Sequence, residues 1–269
     1  MKPINIKKPI KDNTSKLEES ILYDEVNRVV TLTLNRPKNY NALTEEMLKS
    51  LQNFLDDVAN NKSVRIVILQ GKGKAFCAGH DLKEMIATRK ETYYKNLFLK
   101  CSKVMMTINN MPQPVIAKVH GISTAAGCQL VAACDLAVAE EEASFATSGI
   151  NVGLFCSTPS VPVSRNIPRK KAMELLLTGE FIDAKTALNW GLINRIASLK
   201  NLDKEVKKLT EVILSKPPIA VFTGKKMFYK QLERNMQDAY TYAASIMASN
   251  MMADEVEEGI NFFMKKKSS

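Results

Sequence analysis

Two glycine-rich segments constrain the fold of this chain more than any other feature. They occupy residues 74–82 (KAFCAGHDL) and 120–130 (HGISTAAGCQL), and each follows a β-branched run and leads into a helical pattern. Small residues at such a junction let a ligand, or another stretch of backbone, approach the main chain closely. Two loops of this kind can direct two backbone N–H groups at one carbonyl oxygen, which stabilises a developing oxyanion. The segments therefore predict a site built from main-chain donors.

The residues around these segments alternate between strand and helix patterns. Residues 29–34 (VVTLTL) and 64–69 (VRIVIL) are rich in β-branched residues, which is typical of strands. Between them, apolar residues recur at helical spacing after Thr44, a residue suited to an N-cap, and Glu45 and Glu46 favour the positive end of the helix dipole. A strand–helix–strand unit of this kind forms a right-handed crossover between parallel strands.

The same alternation continues to about Pro168 and then gives way to helices. It predicts a helix over 93–109, a strand over 115–119, a helix over 126–134 and a strand over 135–139. The later helices are predicted at 184–190, capped by Asp183 and ended by Gly191, at 203–215, at 219–232, and twice more within 236–265. No fixed-period repeat appears in the sequence, although stacked β-turn-α units can repeat in structure without sequence likeness.

These patterns divide the chain into three parts. We expect a disordered or extended lead-in over residues 1–20, an α/β core over 21–200 and a helical region over 201–269. The lead-in has no apolar run like that of a secretory signal, and it lacks the arginine of a transit peptide. No apolar run approaches the ~20 residues that span a bilayer, so we expect no membrane span. We expect a bacterial cytoplasmic location, with the mitochondrial matrix as the alternative.

The cysteine and histidine content limits the metal and redox chemistry that we expect. The five cysteines are odd in number and show no C-x-x-C spacing, which favours free thiols in a reducing compartment. Because His80 and His120 are the only histidines in the sequence, a His/Cys metal site is not expected.

The net charge of +10 indicates either an acidic partner or a solvated basic surface. Lysines gather at 170–171, 225–226 and 265–267. These clusters are predicted to be solvated faces, some of which a ligand with several phosphates would use. Nucleic acid is a weaker hypothesis, because no aromatic-interleaved basic strand accompanies the lysines.

Several short motifs, taken in order, resemble one protein family. These motifs are AFxAGxDL (75–82), PVIA (114–117), GCxL (127–130), CD (134–135) and LTG (177–179). With them the chain resembles the crotonase, or enoyl-CoA hydratase/isomerase, superfamily from about residue 29 to residue 267. The strings CAGHD (77–81) and NVGLFCSTP (151–159) are similar to one subgroup within it.

The resemblance implies both a fold and an activity. The fold would be an α/β spiral of ββα turns with a C-terminal helical trimerisation region, assembled as a homotrimer or as a hexamer made of two trimers. The ligand would be an acyl-CoA thioester in fatty-acid metabolism, so coenzyme A would be part of the substrate and no separate cofactor is expected. The N–H groups of His80 and Ala126 would form the oxyanion hole for a thioester enolate.

The resemblance also implies contacts with coenzyme A. Residues of the first glycine-rich segment would lie along its adenine and pantetheine, Lys38 would lie near the ribose phosphate, and a neighbouring subunit would lend residues from its last helix. The first-segment residues are Ala78, Gly79, Asp81 and Leu82, and the neighbour's residues are Phe263 and Lys266.

The chain departs from the family at the two positions that usually carry catalytic glutamates. Counted without gaps, those positions hold Gln129 and Gly149. Neither residue exchanges protons near neutral pH, and general acid–base catalysis typically contributes ~10²–10⁴-fold. We therefore expect weak hydration, although an enoyl-CoA hydratase/isomerase-type activity, as a lyase or isomerase, remains the leading hypothesis. A decarboxylase of malonyl-type CoA and a catalytically inactive acyl-CoA binder are the alternatives.

Three further side chains have two interpretations each. The His80 imidazole either does nothing, because only its backbone N–H is needed, or acts as acid, base or pH sensor. Cys156 takes the place of a functional tyrosine in the family's decarboxylases, and it is either a catalytic thiol or a small buried packing residue. Gln129 either orients a water or carboxylate or is inert. His120, before Gly121 in a turn, is predicted to be structural.

Overall fold

The computed structural model of the chain describes residues 19–267, with side chains for residues 19–265. Most of the predicted lead-in, residues 1–20, therefore lies outside the described residues, as does the side chain of Lys266. None of the helices in this range combines the length and the apolar content that a bilayer crossing requires.

Ten strands within the described range form two sheets. They are β1 (Ile21–Val26), β2 (Val29–Leu34), β3 (Ile66–Gly71), β4 (Ala75–Cys77), β5 (Val115–Val119), β6 (Ile122–Thr124), β7 (Leu136–Glu140), β8 (Ser144–Ala146), β9 (Ile182–Asp183) and β10 (Arg195–Ala197). The larger sheet has the order β1-β2-β3-β5-β7-β10 and is parallel except for the β1–β2 pair. The smaller sheet has the order β4-β6-β8-β9, with β8 and β9 antiparallel.

The helices return the chain from one pair of strands to the next. They are α1 (Glu45–Asn60), α2 (Leu82–Ala87), α3 (Glu91–Asn110), α4 (Ala126–Ala133), α5 (Ser157–Asn166), α6 (Arg169–Thr178), α7 (Ala184–Trp190), α8 (Leu199–Leu214), α9 (Pro218–Leu232), α10 (Met236–Met251) and α11 (Asp254–Lys267). The strand pairs β3–β4, β5–β6 and β7–β8 each place their first strand in the larger sheet and their second in the smaller. The predicted spiral of ββα turns, followed by a C-terminal helical region, is confirmed.

Local capping signals in the sequence mark the helix ends correctly. The Thr44 hydroxyl accepts the N–H of Met47 at 3.1 Å and so caps α1. The Asp183 carboxylate caps α7 in the same way, accepting the N–H of Thr186 at 2.8 Å. Gly191 ends α7 with φ +88°, a left-handed conformation that glycine adopts without the strain of a Cβ. Each cap satisfies a backbone group that has no partner within its helix.

The predicted and observed bounds differ where tertiary contacts decide them. The strand predicted at 64–69 is observed as β3, two residues later, and the helix predicted at 203–215 begins earlier, as α8. The strand β1 is not predicted at all. It mixes acidic and apolar residues and lies at the sheet edge, where four of its six residues are exposed.

Apolar side chains cover both faces of the larger sheet. The main core fills the space between this sheet, the smaller sheet and the helices α1, α3 and α4. On the outer face, a second cluster joins the sheet to α8, so α8 packs on the α/β core. Its members are Ile66, Ile116 and Val138 from strands and Leu202, Val206 and Leu209 from α8.

The helices α9 and α10 are exposed, but a buried ion pair ties α9 to the core. No residue of α9 or α10 is buried. Nevertheless the Lys225 ammonium of α9 lies 2.6 Å from the Asp135 carboxylate, and only 6% of the Lys225 side chain is exposed. The prediction that Lys225 belongs to a solvated lysine cluster is therefore wrong. The Lys225 ammonium anchors α9 through this ion pair, so it is not available to bind a ligand.

Candidate active site

The two glycine-rich segments meet closely, because Gly79 and Gly127 have no side chain at the contact. A Cβ at Gly127, in α4, would lie 2.0 Å from the Cys77 carbonyl oxygen, which no real side chain tolerates. A Cβ at Gly79 would lie 2.9 Å from the Ala125 Cβ and 3.3 Å from the Ala126 nitrogen. Gly79 also has φ +94°, which glycine alone adopts easily. The prediction that small residues permit a close backbone approach is confirmed at this contact.

The His80 N–H is directed by the peptide group that precedes it. The Leu43 N–H donates to the Gly79 carbonyl at 2.7 Å, and the Leu43 carbonyl accepts the Asp81 N–H at 3.0 Å. In this parallel pairing Leu43 makes both bonds, so the N–H of His80 has no acceptor among the described residues. Because the peptide bond is planar and trans, that N–H points away from Leu43.

Within the described part of the chain, the N–H of Ala126, the first residue of α4, is a second donor without an acceptor. The first N–H groups of a helix have no acceptor within it, and the helix dipole makes this end attractive to negative charge. Ala125, which precedes α4, has φ +49°, a conformation that residues other than glycine seldom adopt. Such strain is retained where surrounding contacts fix the backbone, and it marks this junction as a candidate functional position.

The two ring nitrogens of His80 are buried beside the site. Neither ring nitrogen has a hydrogen-bond partner among the described residues. The ring lies against Phe98 of α3, with 5.5 Å between the ring centroids. Burial lowers the pKa of His80 to about 4, and the nearby Leu43 carbonyl, which acts in the opposite direction, does not restore it. The imidazole is therefore neutral at physiological pH.

Gln129 is buried in α4 and is held by a neighbouring hydroxyl. Its side-chain Oε1 accepts a hydrogen bond from the Thr158 hydroxyl of α5 at 3.3 Å, and the residue is 2% exposed. Oriented in this way, the amide retains its Nε2 as a donor. A carboxamide in this position can hold a water or a carbonyl, but it cannot accept a proton as a carboxylate does.

Gly149 lies in the turn Ser148–Val152, at a position that has no room for a side chain. A Cβ there would lie 2.6 Å from the Leu154 carbonyl oxygen and 2.8 Å from the Cys156 sulfur. Because the nearest atom is the backbone oxygen of Leu154, the clash could be relieved only by a movement of the main chain. Gly149 is not among the residues with positive φ, so space and not backbone conformation excludes larger residues.

Cys156 is a buried thiol next to this turn. Burial raises the pKa of the Cys156 thiol, and a hydrogen bond with the Gly149 backbone only partly opposes the effect. A raised pKa keeps the sulfur protonated and weakly nucleophilic. This environment favours the packing interpretation of Cys156 over the catalytic one.

The other residues predicted to contact coenzyme A differ in whether their side chains are free to bind a ligand. Asp81 caps α2 and pairs with Arg36 at 2.9 Å. Burial alone would raise the pKa of Asp81, but the Arg36 hydrogen bond and the backbone N–H groups of α2 bring it below its ordinary value. Leu82 and Lys38 are exposed, and Lys38 lies in the 3₁₀ turn Pro37–Asn39. Ala78 lies on the first loop beside Gly79 and donates its N–H to the Tyr40 carbonyl.

The last helix carries the two residues that were predicted to come from a neighbouring subunit. Phe263 is exposed on α11, whereas the side chain of Lys266 lies outside the described residues. His120 behaves as the structural residue that was predicted: its Nε2 lies 2.8 Å from the Gly73 carbonyl and so joins the turns that lead into the two loops. Within residues 19–265, no group of three or more His, Cys, Asp or Glu side chains is placed to hold a metal ion.

The sequence interpretation placed Lys38 in a turn over residues 35–39, but it missed that this turn and the residues after it support the first glycine-rich segment. We call residues 36–43 the bracing turn; it includes Leu43, which fixes the His80 N–H, and the buried Asn41. The turn-forming string NRPKNYN (35–41) between a strand and a helix is the sequence signal for it. That signal predicts a turn, but it carries no information about the loop against which the turn packs.

Two backbone donors on touching glycine-rich loops, within a spiral of ββα turns, define the crotonase class of protein. The sequence model of the enoyl-CoA hydratase/isomerase family matches residues 24–269, so the chain belongs to this family. Within it, the chain resembles enoyl-CoA hydratase domain-containing protein 3. The mitochondrial protein of that name from Rattus norvegicus is 43% identical over 236 residues, which cover 88% of this chain and 79% of the relative.

Solved structures agree with this assignment. A crystal structure of an enoyl-CoA hydratase from Mycobacterium smegmatis superposes with a TM-score of 0.92 and 53% identity, covering 93% of this chain and 97% of that one. The human enoyl-CoA hydratase domain-containing protein 3 superposes with a TM-score of 0.89 and 42% identity, covering 92% and 98%. The subgroup resemblance of the two strings at 77–81 and 151–159 is thereby confirmed.

Proposed function

We propose that this protein binds an acyl-CoA thioester and stabilises its enolate in fatty-acid metabolism. The observation that supports the proposal is the pair of N–H groups, on His80 and Ala126, that have no acceptor in the described structure and lie at the contact between the two loops. A thioester oxygen placed between them would receive two hydrogen bonds as negative charge develops on it. Donors held ready by the backbone need no reorganisation during the reaction, which makes them effective.

Proton transfer is the step that this site would perform poorly. Gln129 and Gly149 occupy the positions that the family resemblance assigns to catalytic glutamates. Neither residue supplies a base, and the neutral His80 ring has no hydrogen-bond partner among the described residues to orient it. We propose that hydration of enoyl-CoA is weak for this reason, while thioester binding persists.

Decarboxylation of a malonyl-type CoA is the second candidate. In that reaction the bond from the α carbon to the carboxylate breaks, carbon dioxide leaves, and the electron pair passes into the thioester as an enolate. No base is needed to form this enolate, so the absence of a carboxylate at positions 129 and 149 does not oppose it. A proton from solvent would complete the product.

The contacts with coenzyme A and the assembly belong to the same proposal. Asp81 is engaged by Arg36 and by α2, so we propose that coenzyme A runs along the backbone of Ala78 to Leu82, with Lys38 near a phosphate. The exposed apolar side chains of α9 to α11 support burial against other copies, as a homotrimer or a dimer of trimers. Phe263 and Lys266 would then complete a neighbour's pocket. The apolar residues concerned include Phe228, Tyr240, Met247 and Met252.

The proposal is tested with a thioester that cannot be hydrated or decarboxylated. Butyryl-CoA carrying ¹³C at the carbonyl is mixed with the protein, and its carbonyl stretch is followed by difference infrared spectroscopy. We expect binding with a lowered stretching frequency, because two hydrogen bonds weaken the C=O bond. Binding without any lowering would overturn the oxyanion hole.

The reaction is tested separately by mass spectrometry of enoyl-, 3-hydroxyacyl- and malonyl-type CoAs incubated with the protein. Loss of carbon dioxide selects the decarboxylase, and no change in any thioester selects the inactive binder.

The location of the protein is a separate proposal. The rat relative is named as a mitochondrial protein, which supports the second of the two expected locations, the mitochondrial matrix.

A further inference from the structure

The bracing turn, residues 36–43, sets the direction of the His80 N–H. It pairs with the first loop at two points: the Ala78 N–H donates to the Tyr40 carbonyl at 3.0 Å, and the Leu43 N–H donates to the Gly79 carbonyl at 2.7 Å. The second bond fixes the plane of the peptide group that contains the His80 nitrogen. Any movement of the bracing turn would therefore rotate this donor.

Asn41 locks the middle of the bracing turn. It is fully buried and has φ +56°. Its amide nitrogen lies 2.8 Å from the Ala75 carbonyl and 3.0 Å from that of Lys72, and its Oδ1 accepts the Arg36 N–H at 2.9 Å. A buried polar side chain with all of these partners joins the turn rigidly to the connection between β3 and β4.

Arg36 joins the bracing turn to the first glycine-rich segment by bonding to a residue of each. One guanidinium nitrogen donates to the Ala42 carbonyl within the turn, and another pairs with Asp81 at 2.9 Å on the loop. His80 thus lies between Gly79 and Asp81, both of which the bracing turn holds. The guanidinium is a planar fork that reaches two acceptors at once, which a lysine ammonium on a flexible stem does not reproduce.

We infer that Arg36 is a positioning residue for the His80 N–H, acting through Asp81 and the bracing turn without touching the thioester. The inference rests on the proposed oxyanion hole, since it concerns the orientation of one of its donors. Donors of this kind work only when held within a few tenths of an ångström of the productive position. Loss of Arg36 would free the loop at Asp81 and let the donor swing, while the backbone contact at the glycines would persist.

The sequence makes one measurement unusually specific. Of the two histidines, only His80 follows a glycine, because His120 follows Val119. A protein labelled with ¹³C-carbonyl glycine and ¹⁵N-histidine therefore gives a single peak in a spectrum that links a carbonyl carbon to the next amide. That peak reports the His80 N–H directly. Its proton shift is recorded while butyryl-CoA is added, with free coenzyme A as the ligand that lacks a thioester.

Arg36→Met is compared with a matched control in the same chain. Arg195 and Glu205 form another arginine–carboxylate pair, also at 2.9 Å, between β10 and α8. Arg195→Met removes that pair away from the loops. We expect butyryl-CoA to move the His80 peak downfield in the parent and in Arg195→Met, but by about half as much or less in Arg36→Met, because the hydrogen bond is no longer aligned. Arg36→Lys should fall between the two.

Each outcome decides the matter. A full downfield movement in Arg36→Met would overturn the positioning role while leaving the oxyanion hole in place. No movement in the parent, despite binding, would overturn the oxyanion hole and the inference with it. If Arg36→Met does not fold, Arg36→Lys and Asp81→Asn are measured in its place. An undiminished movement in both would then reject the inference, and a reduced movement in both supports it.

Discussion

Lys225 and Asp135, 90 residues apart in sequence, form a buried ion pair with 2.6 Å between Nζ and Oδ2. The same carboxylate accepts the hydroxyl of Tyr229 at 2.9 Å, so two residues of α9 converge on it. The ammonium also donates to the Ile108 and Gln113 carbonyls. The pair therefore joins a helix that has no buried residue to the end of α4.

Lys225→Met should lower the free energy of unfolding by about 3–5 kcal/mol, because it leaves the Asp135 carboxylate buried without its cation. Lys226→Met is the matched control, since the adjacent lysine is exposed, and it should change stability by no more than about 0.5 kcal/mol. Urea denaturation at one fixed protein concentration measures both. Equal stabilities of the two variants would contradict the anchoring role.

Acid should destabilise the protein through His80. Its folded pKa is about 4, whereas an unfolded histidine titrates near 6.5, so the unfolded chain binds a proton that the folded chain does not. Stability is therefore lost as the pH falls from about 6.5 to 4, by as much as about 3 kcal/mol. His80→Leu keeps the backbone N–H but takes up no proton, so its denaturation midpoint should fall less over this range. Parallel pH profiles for the two proteins would refute the prediction.

Gly149→Ala should destabilise the fold by roughly 1–3 kcal/mol, because its methyl group would overlap the Leu154 carbonyl and the Cys156 sulfur. Gly224, in α9, provides the comparison, since a Cβ there meets nothing within 4 Å. Gly224→Ala should be neutral or stabilising by roughly 0.5–1 kcal/mol. Thermal melts of the two variants give the result, and a stable Gly149→Ala protein would show that the turn yields easily.

Gln129→Glu alone should raise crotonyl-CoA hydration above the weak rate proposed for the parent, by roughly 10- to 100-fold, because it restores one proton-transfer group. A glutamate at position 149 is a poor test, since the turn has no room for it. Gln129→Met is the control: it fills the same space without a base. The rate is followed by the loss of enoyl-thioester absorbance. A folded, ligand-binding Gln129→Glu protein with no gain would place the defect in substrate position instead.

Lys38→Ala should weaken coenzyme A binding by roughly 2- to 5-fold at low salt, with the difference fading as salt rises, because an exposed cation is screened. The same variant should bind butyryl-pantetheine, which has no nucleotide phosphates, as well as the parent does. Titration calorimetry at two ionic strengths separates these cases. Equal weakening for both ligands would mean that Lys38 supports the loop and does not contact phosphate.

The strand and helix order could be predicted because it rests on local patterns. Residues 115–119 were expected as a strand and are observed as β5, and the caps at Thr44 and Asp183 follow from side-chain chemistry within three residues. The glycine-rich segments likewise indicate where the backbone must come close. These features need no knowledge of what lies across the fold.

The remaining features depend on contacts between distant parts of the chain. Asn41 is an ordinary turn residue in the sequence, yet it is buried against carbonyls more than thirty residues away. The crowding of Gly149 depends on how the Leu154 carbonyl turns back towards it. In the sequence Lys225 belongs to a lysine cluster typical of a basic surface, whereas in the structure it is paired with Asp135. In each case the residue type leaves several environments open, and the packing of the whole chain selects one.

The contact between Gly79 and Gly127 and their neighbours has an evolutionary consequence. Because a Cβ at Gly79 or Gly127 would overlap the opposite loop, a substitution at either glycine breaks the packing and does not adjust the spacing of the two loops. The substitutions that this packing tolerates lie at surrounding positions, such as 129. A change of side chain at such a position would alter the chemistry around the proposed pair of donors without disturbing them, and a search for familiar acid and base residues alone would pass over those donors.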